Sequence, residues 1–126
     1  MAGEDQRHLP GRHLIDAYGG GGFRFADLSH RGSLLCLPSG MWAWPCRTAA
    51  DFDEAAFSRV IAEADEIDLL LVGAGADIAA LRAPVRDALR AHAVTVEVMA
   101  TGSAARTWNV LVGEGRRVAA ALLAVP

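Results

Sequence analysis

Thr101-Gly102-Ser103, with Arg106 and Asn109 just beyond, is the stretch of this chain whose residue types best suit a binding site. The start of a helix leaves main-chain N–H groups converging unpaired, Thr101 or Ser103 can cap it, and residues three apart share one helical face. A second glycine pair, Gly73-Ala74-Gly75, leaves an apolar run and precedes a helical stretch. If the two segments end neighbouring parallel strands, their loops frame the crevice in which open α/β sheets usually hold ligands. The ligand-binding candidates are therefore Gly73, Gly75, Thr101, Gly102, Ser103, Arg106 and Asn109, and a small anion is the natural ligand. A structural alternative stands beside this one. The glycines then serve close backbone packing, Arg106 pairs with Glu97 or Glu114, and Asn109 caps main-chain groups. Gly73-Ala74-Gly75-Ala76-Asp77 also lacks the third glycine of a dinucleotide loop, Ile78 standing in its place.

No nucleophilic or metal set accompanies these residues. Ser33, Ser39, Ser103, Cys36 and Cys46 lie outside any nucleophile elbow, and His8, His13, His30 and His92 are scattered without ligand spacing, as expected of surface or capping residues. Asp65, Glu66 and Asp68 cluster where a helix meets a strand, a usual place for solvated acids. All 12 basic residues are arginine. Schiff-base and Walker-type chemistry, both of which need a lysine amine, are thereby excluded. No cofactor and no metal are expected. Gly19-Gly20-Gly21-Gly22 leads into Phe23-Arg24-Phe25 and so reads as a turn between strands.

Trp42 and Trp44 are the second kind of candidate. Alternation across Met41-Trp42-Ala43-Trp44-Pro45 puts both indoles on one face of an edge strand or hairpin arm, where they form either a protein-interaction patch or a satellite core. A net charge of -3 offers no footprint for nucleic acid. The apolar runs Ile67 to Ala76 and Val118 to Val125 are too short or interrupted for membrane insertion. Two cysteines without CxxC spacing and a polar start lacking an apolar core point to a cytoplasmic protein.

The elements that must position these residues follow from hydrophobic period. Residues 1–12 read as a flexible tail, and 13–126 as one α/β domain. Leu14-Ile15, Phe23 to Phe25 and Ser33 to Leu37 suggest three strands, an N-terminal β-rich extension. Phe52, Ala55, Ala56, Val60 and Ile61 fit a helix over about 53–64, capped by Asp51 or Thr48. Strand 67–72, helix 81–93, strand 94–99, helix 103–112 and strand 117–125 follow. That β-α-β-α-β order predicts a parallel sheet with helices on its faces.

Tyr18-Gly19, Gly22-Phe23, Gly32 to Leu35 before Pro38, Trp44, Gly73-Ala74-Gly75, Glu97 to Thr101, Ala104 to Asn109 and Glu114 to Leu122 together resemble the Mth938-like domain family. That family includes the mitochondrial complex I assembly factor 3. The resemblance implies a three-layer domain around a central mixed sheet, mostly parallel, whose last strand runs antiparallel to the others. It implies a protein partner and a non-enzymatic accessory role, and it supplies no catalytic residues. Trp108 stands where family members often have Tyr, consistent with packing.

Overall fold

The computed structural model describes residues 7–76 and 80–126. Nine strands and three α-helices are present among them: β1 (Arg7–Pro10), β2 (Ala17–Gly19), β3 (Gly22–Phe25), β4 (Leu28–Arg31), β5 (Ser33–Leu37), β6 (Gly40–Trp44), α1 (Ser58–Ala62), β7 (Leu69–Gly73), α2 (Ala83–Ala91), β8 (Thr95–Met99), α3 (Thr101–Gly113) and β9 (Val118–Leu122). Six strands form one sheet in the order β1-β6-β5-β9-β7-β8, and β2-β3-β4 form a second, antiparallel one.

The large sheet is mixed, and its last strand is the seam. β9 runs parallel to β7 and antiparallel to β5, so the antiparallel last strand implied by family resemblance holds only on its β5 side. β7, β8 and β9 are mutually parallel, as the β-α-β-α-β pattern predicts. β6 shares their direction, while β1 and β5 oppose it.

Period-2 alternation decides which core each side chain enters. Leu35 and Leu37 of β5, with Ala119 and Ala121 of β9, face a layer built by Phe52, Phe57, Val60, Val85 and Leu89 from the α1 and α2 side. Leu34 and Cys36, with Ala120 and Leu122, face Ala104, Ala105 and Trp108 of α3 and the Phe23 and Phe25 rings of the small sheet. All five residues of β9 are buried. Its alanines and those of α3 let helix and sheet approach closely enough for Trp108 to be fully covered.

Several boundaries differ from expectation. Arg7–Pro10, within the expected tail, pairs with β6 as β1; residues 1–6 of that tail lie outside the described residues. β6 is therefore internal and not an edge, and it is the second arm of a hairpin with β5. Leu14-Ile15 forms no strand, whereas β4, unforeseen, does. Its hairpin turns at Ala26-Asp27, both with positive φ (50° and 62°), in place of the Asn-Gly that usually marks such a turn. The expected helix over 53–64 is a 3-10 turn (Ala55–Phe57) leading into the short α1, with the Asp53 carboxylate accepting from the Ala56 N–H. Thr48 and Asp51 cap a separate 3-10 turn, Ala49–Asp51.

Candidate functional site

β7 and β8 are parallel neighbours, so the segments leaving them do lie side by side as the crevice reading requires. Hydrogen bonds then close the space between them. Thr101 is fully buried, and its hydroxyl donates to Leu123 O (2.8 Å) while accepting from the Gly75 N–H (3.0 Å). The Thr101 N–H donates to Gly75 O (2.8 Å), and the Leu123 N–H to Gly73 O (2.9 Å). A Cβ on Gly73 would stand 3.0 Å from both Leu122 Cδ2 and Thr101 Cα, so that glycine serves close packing. Gly75, at φ +98°, turns the chain where an L side chain would be strained. Asp77 and Ile78 lie outside the described residues.

Thr101-Gly102-Ser103 is the first turn of α3 and not a loop, with Ala100 as N-cap. A side chain on Gly102 would collide with the Tyr18 hydroxyl, which lies across the helix start. Arg106 is exposed and donates to Tyr18 Oη (3.3 Å) and weakly to Ser103 Oγ (3.5 Å). The alternative pairing of Arg106 with Glu114 does not form either; Glu114 lies 3.9 Å from Arg116. Asn109 turns inward to the chain itself. Its Oδ1 accepts from the Ile15 N–H (2.7 Å) and its Nδ2 donates to Ile15 O (2.8 Å), the bonding pattern of a neighbouring strand. One residue earlier, Trp108 Nε1 donates to His13 O (2.9 Å). This helix face is a clamp for residues 13–15. Of the candidates, Arg106 alone is exposed, and it joins Ser103 to Tyr18, which sequence reasoning missed because the contact spans 88 positions.

The two tryptophans share a face and divide its roles. Trp44 is 4% exposed, stacked on Phe52 at 5.5 Å and edge-on to Phe57 at 5.6 Å, with Nε1 donating to Ala56 O (2.9 Å). It belongs to the core. Trp42 is half-buried; its Nε1 donates to Ser39 Oγ (3.0 Å) and the Arg59 guanidinium covers its ring at 3.9 Å. Glu63 accepts from the Ser39 N–H (2.9 Å) and hydroxyl (2.5 Å). Trp42, Arg59, Glu63 and Glu66 line a surface hollow of about 410 Å³. The two-tryptophan patch thus reduces to one indole with a charged rim.

Both thiols are buried, and burial pushes Cys36 far above its ordinary range. Burial and then the nearby Asp51 and Asp53 carboxylates raise Cys46 to about 11. The Arg47 and Thr48 N–H groups hold Asp51 below the usual carboxylate value. His30 is buried and not on the surface, its Nε2 2.9 Å from Ser33 O. Among the described residues no three His, Cys, Asp or Glu side chains gather as metal ligands, and no helix is long and apolar enough to cross a membrane.

The family model for proteins of unknown function DUF498/DUF598 matches residues 15–123. The chain belongs to this family. Among its relatives, an uncharacterised protein of Rhodobacter capsulatus is 47% identical over 112 residues, covering 89% of this chain and 85% of that one. The mouse NADH dehydrogenase [ubiquinone] 1 alpha subcomplex assembly factor 3 is 31% identical over 121 residues. That match covers 96% of this chain but 65% of the mouse protein's length. Among solved structures, an outer membrane protein from Bartonella henselae superposes with a TM-score of 0.92 at 46% identity, covering 94% of this chain and all of that one. A Mth938-like domain of Bordetella pertussis superposes at 0.78 and 28% identity, covering 89% and 85%. The Mth938-like fold and the kinship to the assembly factor, both implied by the sequence resemblance, hold.

Proposed function

We propose that this DUF498 chain is a non-enzymatic accessory domain that binds another protein, in the manner of an assembly factor. The observation that carries the reading is the 31% identity with the mouse assembly factor, which extends over 96% of this chain. The fate of the sequence-read crevice supports it. Thr101 and Asn109 aim polar atoms at partners within the chain, Gly75, Leu123 and Ile15, which accounts for both residues without a ligand. We assign the Trp42 hollow as a contact surface, since an indole partly open to solvent inside a charged rim is the composition of an interface hot spot.

Deletion in the native host, followed by native gels of the membrane fraction, tests the role. Loss or delay of a respiratory complex, restored by the wild-type chain and not by Trp42→Ala, is the expected result. Normal complexes in the deletion strain would overturn it. We place the protein in the cytoplasm, and fractionation tests that separately. Recovery with the outer membrane, where the Bartonella relative's name puts that protein, would refute it.

A further inference from the structure

β8 is an outer strand of the large sheet, with no further neighbour among the described residues. Its free hydrogen-bonding groups can be assigned. The Thr95 N–H donates to Asp68 O (3.0 Å) and Met99 O accepts from the Ala74 N–H (2.8 Å), so Thr95, Glu97 and Met99 bond inward to β7. By alternation the N–H and C=O groups of Val96 and Val98 point outward along the open edge. The side chains of the same two valines are half-buried against the core on the α2 side. There, with Leu81 and Val94, they line a hollow of about 510 Å³ whose outer wall carries Arg86 and Arg90. These arginines sit one turn apart on α2, both exposed, and among the described residues neither is ion-paired to a carboxylate. An edge of this kind invites strand addition unless it is blocked.

We infer that β8 is a strand-addition site for an extended segment of a partner protein, one whose α2-facing positions alternate apolar residues with carboxylates. Main-chain bonds to Val96 and Val98 would supply the pairing, the hollow would take an apolar side chain, and Arg86 and Arg90 would select acids. Charge disfavours a second copy as occupant. Continuing the sheet about a two-fold axis brings one arginine pair toward the other on the same face, and setting Val96 against Val98 places Glu97 opposite Glu97. The inference rests on the protein-binding reading and specifies a partner chemistry for a surface distinct from Trp42.

The probe is a capped octapeptide in which threonine alternates with valine and glutamate, titrated into the full ¹⁵N-labelled chain. Amide shifts should centre on residues 94–98, exchange of the Val96 and Val98 N–H groups should slow, and the glutamate peptide should bind about tenfold tighter than its lysine analogue at low salt. Val98→Pro removes an outward donor without touching the β7 ladder, so it should keep the fold and lose binding. Arg86→Glu with Arg90→Glu should reverse the glutamate–lysine preference, which carries the test even where the proline variant fails to fold. Any of four results overturns the inference: shifts centred on Trp42, no charge preference, no binding at millimolar peptide, or a free dimer that Val98→Pro turns into a monomer. Capture of the native partner separates the two readings. A partner kept by Val98→Pro but lost with Trp42→Ala overturns edge pairing alone, and no partner for the wild-type chain overturns protein binding itself.

Discussion

Asn109 distinguishes a clamp from a ligand group, because the two roles make opposite demands on stability. Its carboxamide makes two hydrogen bonds with the Ile15 main chain, at 2.7 and 2.8 Å, and Ile15 is 5% exposed. Asn109→Ala removes both bonds and leaves a partly buried N–H and C=O unpaired. At about 1 to 1.5 kcal/mol for each group, the expected loss is about 2 to 3 kcal/mol, a large fraction of the roughly 5 to 15 kcal/mol that holds a domain folded. Asn109→Asp isolates one bond: a carboxylate still accepts from the Ile15 N–H but faces Ile15 O without a hydrogen to donate. Protonation restores the donor, so the aspartate variant should approach wild-type stability as pH falls below about 4, while the alanine variant gains nothing relative to wild type over that range. Urea unfolding followed by tryptophan fluorescence at neutral and acidic pH measures both. Hydrogen exchange should locate the loosening at residues 13–31, the segment hung from the clamp. Wild-type stability for Asn109→Ala, or an aspartate deficit that does not shrink in acid, would refute the assignment and return Asn109 to the list of ligand groups.

Thr101→Val keeps shape but abolishes the hydroxyl bonds to Leu123 and Gly75, and should cost about 2 to 3 kcal/mol in the same assay; a neutral result would mean that the strand ends are held by the main chain alone. Trp44→Ala opens a core cavity and should lose about 3 to 5 kcal/mol, whereas Trp42→Ala, at a half-exposed position, should stay within about 1.5 kcal/mol, and equal losses would contradict the division between core and surface. Replacing Ala26-Asp27 by Asn-Gly gives the β3–β4 turn residues suited to positive φ, so denaturant midpoints should show a gain of about 1 kcal/mol. Cys46 has its folded pKa raised from 9.0 to about 11, so it favours the folded state below pH 9 and that contribution is lost as pH rises from 9 toward 11. A Cys46→Ser variant should therefore show a shallower alkaline loss of stability, and an unchanged slope would assign that loss to other groups.

What the sequence revealed and what it concealed follow from the range of the forces involved. The β-α-β-α-β half was legible because Leu69 to Gly73, Thr95 to Met99 and the helices between are written in local hydrophobic period. β4 was not, since Leu28–Arg31 is polar and exposed except for His30, and its turn residues Ala26 and Asp27 carry none of the usual glycine signal. The role of the candidate site residues was not legible for a related reason. Thr, Gly, Ser, Arg and Asn at a helix start are the residue types that bind anions, and they are equally the types that satisfy buried main chain. The choice between those roles lies in partners 26 to 94 positions away, in Gly75 for Thr101 and Ile15 for Asn109. The same non-locality hid the β8 edge. Nothing within Thr95-Val96-Glu97-Val98-Met99 marks it as an outer strand, and only the course of β9 between β5 and β7 leaves it there. The two surfaces proposed for function, the Trp42 hollow and the open edge beside Arg86 and Arg90, are therefore products of topology. A test of the proposed protein binding is best aimed at those two surfaces and not at the motif that identifies the family.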